Sequence, residues 1–121
     1  MNEISFLAVN RTALIVRPKK AYVEWANSLE VGGPKLDLDE PETEYTIYLV
    51  EEMSHDLGPQ PALRKHYSSI FVQELAGWHR DKSAWPPKRD LKTFNQWFDV
   101  EVHSLVVDLA NIPLEIEELA A

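Results

Sequence analysis

The chain has 121 residues, 12 basic and 20 acidic side chains, a formal charge of −8 and no cysteine. It therefore has no disulfide framework, no thiolate metal site and no cysteine nucleophile, and its acidity disfavours nucleic acid as a partner. Hydrophobic residues make up 45% and charged residues 26%, the balance of a single globular domain.

No apolar run approaches the roughly 18 residues that a membrane span needs. The start, Met1-Asn2-Glu3, lacks the basic region of a secretory signal. The expectation is a cytoplasmic protein with no membrane partner. Charge is unevenly spread. Residues 24–56 hold ten acids against Lys35, and residues 93–121 hold six acids and no base. Such a surface keeps a small protein in solution, and it can also steer a basic partner into contact.

Residues 1–9 read as a leader or an edge strand, and residues 10–121 as a single domain. Thr12 to Val16 is a short, partly β-branched apolar run ending at Arg17-Pro18. It reads as a strand buried on both faces. Lys19 to Glu30 reads as a helix whose stripe is Tyr22, Trp25, Ala26 and Leu29, started by Pro18 and stopped by Gly32-Gly33-Pro34. Residues 31–43 read as a mobile loop. Glu44 to Glu52 alternates as a second strand. His55 to Pro61 reads as turn.

Pro61 to Trp78 keeps helical spacing through Leu63, Tyr67, Ile70, Phe71, Leu75 and Trp78, with Gly77 as its expected C-terminal cap. A polar loop follows through Trp85-Pro86-Pro87. Asp90 caps a third helix striped by Leu91, Phe94, Trp97 and Phe98. Val100 to Leu109 reads as the last strand, its Leu105-Val106-Val107 end entering the middle of a sheet. The order β-α-β-α-α-β predicts an α/β or α+β fold: a small mixed β-sheet with two or three helices packed on it. The first βαβ unit is expected to cross over right-handed.

The stretch from Asn10 to Leu109 resembles a family of small bacterial proteins of unknown function. The resemblance rests on Asn10-Arg11-Thr12-Ala13, Trp25 with Asn27-Ser28-Leu29, Tyr48-Leu49, Ile70-Phe71, Glu74-Leu75 and Gly77-Trp78. It continues through Trp85-Pro86 with Arg89, Phe94 with Trp97-Phe98-Asp99, and His103-Ser104 leading to Asp108-Leu109. It covers about five sixths of the chain and implies no catalytic residue; it also implies that the domain begins near Asn10.

Nucleotide-binding glycine loops, zinc-protease, EF-hand and nucleophile-elbow motifs are absent, and so few glycines leave little room for a phosphate cradle. The candidate catalytic row is Asp99, Glu101 and His103, which share one face if the segment is a strand. A carboxylate beside an imidazole can do acid–base work, or ligate a divalent metal together with His79 or Asp81. The plainer reading is a solvated strand end. The candidate binding pair is Trp85 and Arg89, where an exposed indole and guanidinium would make a protein-binding hot spot. Trp78 and Trp97, on apolar helical faces, read as core. The reading favoured by the sequence is a non-enzymatic protein-interaction module with a protein partner, acting through Trp85/Arg89 or through its acidic surface. It calls for no cofactor and no metal. The alternative is a small hydrolase or metal-dependent enzyme using the Asp99 row. A homodimer, paired through the apolar tail or the strand edges, is a third reading.

Overall fold

The computed structural model describes residues 7–29, 33, 35–40 and 43–119. Its elements are β1 (Leu7–Ala8), β2 (Arg11–Pro18), α1 (Lys20–Ser28), β3 (Thr46–Glu51), α2 (Gln60–Trp78), α3 (Leu91–Trp97), β4 (Phe98–His103) and β5 (Val107–Asp108). The class is the expected one, with three helices and two small sheets. Both sheets are antiparallel throughout, where a mixed sheet was expected. The larger sheet has the order β3-β2-β4, and β1 pairs only with β5. Because β2 and β3 run in opposite directions, the first βαβ unit is not a parallel crossover and the handedness rule has no purchase on it.

The register explains the two-sided character of the strands. Leu14 pairs with Tyr48 and Val102, and Val16 with Thr46 and Val100. Their side chains meet the helices, and Thr12, Leu14 and Val16 are fully buried. The alternate residues form three rows on the other face: Leu49–Ala13–His103, Ile47–Ile15–Glu101, and Arg17 beside Asp99. No described element roofs that face, and Ile47 and Leu49 remain 60% and 52% exposed. The central strand is therefore buried on one face and only partly covered on the other, a correction to the two-face reading. The buried Thr12 hydroxyl is satisfied by Met53, whose N–H donates to it at 2.9 Å, as burial of a polar atom requires.

All three helices lie on the one covered face. Tyr22 and Ala26 of α1, Leu63, Ile70, Phe71 and Leu75 of α2, and Phe94 of α3 bury there with Phe98 of β4. Phe71 sits at the centre, 5.5 Å edge-on to Phe98 and 5.7 Å from both Phe94 and Trp97. Such tilted pairs match the quadrupoles of the rings. Asp90 caps α3 as expected, its carboxylate accepting from the N–H of Thr93 at 2.8 Å.

Other sequence readings shift. Pro18 closes β2 opposite Phe98 instead of starting α1, whose N-cap position is Lys19, without a side-chain cap. Gly77 lies inside α2, and the chain leaves that helix through His79 in extended geometry. The left-handed glycine is Gly58 (φ 68°), which ends the short 3-10 turn His55–Leu57. Residues 31, 32, 34, 41 and 42 of the expected mobile loop lie outside the described residues, as do residues 1–6 of the leader. The loop's described part is pinned, since the Asn27 side chain both donates to the carbonyl and accepts from the N–H of Leu36.

The last strand is the largest departure. The ladder ends at His103; Leu105 is 72% exposed and Val107 joins β5 in the small sheet. Residues 105–107 therefore do not enter the middle of a sheet. Leu7 and Ala8 of the supposed leader form the strand that β5 pairs with, and Val9 N–H donates to Val106 O at 2.8 Å.

Candidate functional site

The row Asp99, Glu101 and His103 does share one face of β4, as its spacing requires. That face is open and flat. Glu101 binds His103 at 3.2 Å and Arg17 at 3.1 Å, and these contacts hold its carboxyl below the usual carboxylate range. Asp99 turns to Lys19 at 3.8 Å. Among the described residues no group of three histidines and acids is placed to hold a metal, so neither His79 nor Asp81 completes one. Asp81 instead accepts from the N–H and hydroxyl of Ser83. A depression of about 370 Å³ beside β4 is bordered by Asp99, Gln60 and Asn95, and Asp99 is its one titratable side chain.

Trp85 is buried, not displayed. It is 6% exposed and belongs to the core, with its indole N–H donating to His79 O at 2.7 Å. Arg89 lies over the Trp85 ring at 5.7 Å while donating to Pro86 O. The pair is thus real as a stack but does not form an exposed hot spot. The indole N–H of Trp25 reaches Ala84 O, and that of Trp78 reaches Ala26 O. Three tryptophans thereby bind carbonyls of the 79–85 loop and of α1, which is why this proline-flanked loop has a fixed path.

One titratable cluster escaped the sequence reading. Glu74 stands on the helix stripe of Tyr67, Ile70, Phe71 and Leu75, where a carboxylate is out of place. Its carboxylate accepts from the Tyr48 hydroxyl at 2.8 Å, and its backbone carbonyl accepts from Tyr22. The cluster borders a cavity of about 220 Å³ with Thr46 and Trp78. Burial pushes the Glu74 carboxyl above its usual range, and burial with Glu74 nearby raises both tyrosines. The arrangement locks α2 to β3 and α1, and can hold a proton.

This has a pH consequence. A carboxyl raised in the folded state binds more protons folded than unfolded, so its contribution to stability is greatest below the ordinary carboxylate range. That contribution falls as pH rises through the raised value. The melting-temperature difference between Glu74→Gln and the parent protein should therefore widen in favour of the variant across that interval and then level off. A difference that stays constant with pH would contradict the buried carboxylate.

Two further surfaces complete the picture. At the end of β3, Glu51 is bound by Lys65 and by His66 at 2.6 Å, which together hold its carboxyl down at about 2. Along the edge of β3 a groove of about 390 Å³ runs between Thr46–Val50 and the α2 residues His66, Ser69, Ile70 and Gln73, with Leu119 at its margin.

The chain matches no family model, no curated protein and no solved structure. Among the described residues no helix is long and apolar enough to cross a membrane.

Proposed function

We propose that this protein is a non-enzymatic interaction module whose binding surface is the open face of the β3-β2-β4 sheet. The observation that carries this reading is the pair of exposed apolar side chains Ile47 and Leu49, continued by half-buried Ile15 and bordered on the β4 side by Asp99 and Glu101. An exposed apolar patch with a polar rim is the usual anatomy of a protein-binding surface. The net charge of −8 selects a partner with an apolar centre and a basic rim. The setting is cytoplasmic, and neither cofactor nor nucleic acid takes part.

The enzymatic alternative has less support. Only Asp99 borders a depression, Glu101 and His103 lie outside it, and both acids are already paired with cations, whereas a catalytic cluster converges on one concavity. The resemblance to small bacterial proteins of unknown function supports no activity either. The test is affinity capture from bacterial lysate with the full chain as bait. Ile47→Lys combined with Leu49→Lys, both at exposed positions, should lose the specific partner with little change in melting temperature, while Arg89→Ala keeps it. Loss with Arg89→Ala and retention by the double variant would return the site to the Arg89 surface.

A further inference from the structure

The stretch after β5 is anomalous for a finished monomer. Leu109, Ile112, Leu114, Ile116 and Leu119 are all at least 67% exposed. From 112 to 117 the sequence alternates: Ile112, Leu114 and Ile116 against Pro113, Glu115 and Glu117. That is the period of a half-buried strand, yet in a single copy these three side chains are 72%, 70% and 100% exposed. The segment has the pattern of a strand and no sheet to join.

Among the described residues the larger sheet has an edge with no strand beside it. β3 is a terminal strand of its sheet, so alternate backbone groups along it point away from the ladder. The groove along that edge is floored by α2. β3 has six residues, and 112–117 has the same length. The α2 wall contributes His66, Ser69, Ile70 and Gln73, and its basic groups Lys65 and His66 are already bound by Glu51 at the end of β3, so the match of groove and tail rests on apolar character and length. Apolar character and strand length both match.

We propose that segment 112–119 of one copy adds as a strand to the free edge of β3 in a second copy, and that the exchange is reciprocal. The tail's own chain is not the receiver: of the tail only Leu119 borders its own groove, and the alternating residues stand clear of the fold. Reciprocal addition covers two tails and two grooves together, which is how a small domain reaches the roughly 1,200 Å² or more of buried surface that a stable pair requires. Strand addition draws on main-chain hydrogen bonds for affinity and on alternate side chains for specificity. This inference goes beyond the preceding reading, since it concerns the edge of β3 and a second copy, and it stands if the open face binds nothing.

Sedimentation velocity on the full chain tests it. The parent protein should move from one chain mass to twice that mass as concentration rises. Leu114→Asp with Ile116→Asp should stay monomeric over the same range at an unchanged melting temperature. Ser69→Glu, which sets a carboxylate at an exposed position on the groove wall against the acidic tail, should do the same from the other side. A parent protein that stays monomeric, or a dimer indifferent to all these changes, overturns the proposal. Because the chain has no cysteine, an Ile116→Cys copy mixed with a Ser69→Cys copy should form an intermolecular disulfide. A chain carrying both changes that closes the bond within a monomer would show docking on its own groove and overturn the exchange.

Discussion

Phe71→Ala should lower unfolding stability by about 3–5 kcal/mol. Phe71 is fully buried and lies where all three helices meet the sheet, with Phe94, Trp97 and Phe98 around it. Truncation removes the transfer energy of the ring and leaves a cavity that three aromatic neighbours, held on different elements, cannot close together. Native domains have only about 5–15 kcal/mol in hand, so the variant should be marginal at 37 °C. Urea denaturation measures the loss; with a slope of roughly 1–3 kcal/mol per molar, the midpoint should fall by more than about 1 M. Phe71→Leu, which keeps much of the volume, should fall by distinctly less. Equal midpoints for Phe71→Ala and the parent would mean that the helices do not meet over the sheet at this ring.

Trp85→Ala should also cost about 3–5 kcal/mol, and its effect on any binding should follow from unfolding rather than from a lost contact. The ring is 6% exposed, its N–H holds His79 O, and the loop around it is fastened again by Trp25 at Ala84 O. Removing it opens the core and frees the loop. Arg89→Ala, which uncovers only the outer side of the ring, should cost far less, since an exposed cation–π stack contributes about 0.5–1 kcal/mol. Denaturation midpoints of the two variants, set beside partner capture at a temperature where both are folded, separate the readings. A Trp85→Ala protein of unchanged midpoint that has lost its partner would restore Trp85 as a contact residue.

These two residues show where the sequence is legible. Phe71 belongs to a helix whose apolar spacing runs over about four turns, and local periodicity alone places it in the core. Trp85 sits among polar residues and prolines, with no period to read. Its burial is decided by Trp25 and His79, which are distant in sequence or on another element. The same limit explains residues 105–107. An apolar β-branched run fits a central strand, yet β2 already has β3 and β4 on its two sides, and β4 reaches its end at His103. Strand direction is equally invisible, because alternation is identical in parallel and antiparallel ladders; the crossover expectation failed for that reason.

The candidate site was half legible. The spacing of Asp99, Glu101 and His103 correctly puts them on one face. Their ion pairs with Arg17 and Lys19 come from β2 and the turn after it, a pairing that only the register fixes. Glu74 carried a usable signal, a carboxylate inside an apolar helical stripe; the contacts of Tyr48 and Tyr22 with it depend on the tertiary fold.

The central claim is that one face of the sheet stands open and displays the apolar side chains Ile47 and Leu49. Methyl NMR of dilute protein with a soluble paramagnetic agent tests it most directly. The Ile47 and Leu49 methyls should relax strongly, and those of Leu14, Val16 and Ile70 hardly at all. Ile47 and Leu49 as silent as Leu14 would mean that the face is covered and that the interaction surface lies elsewhere.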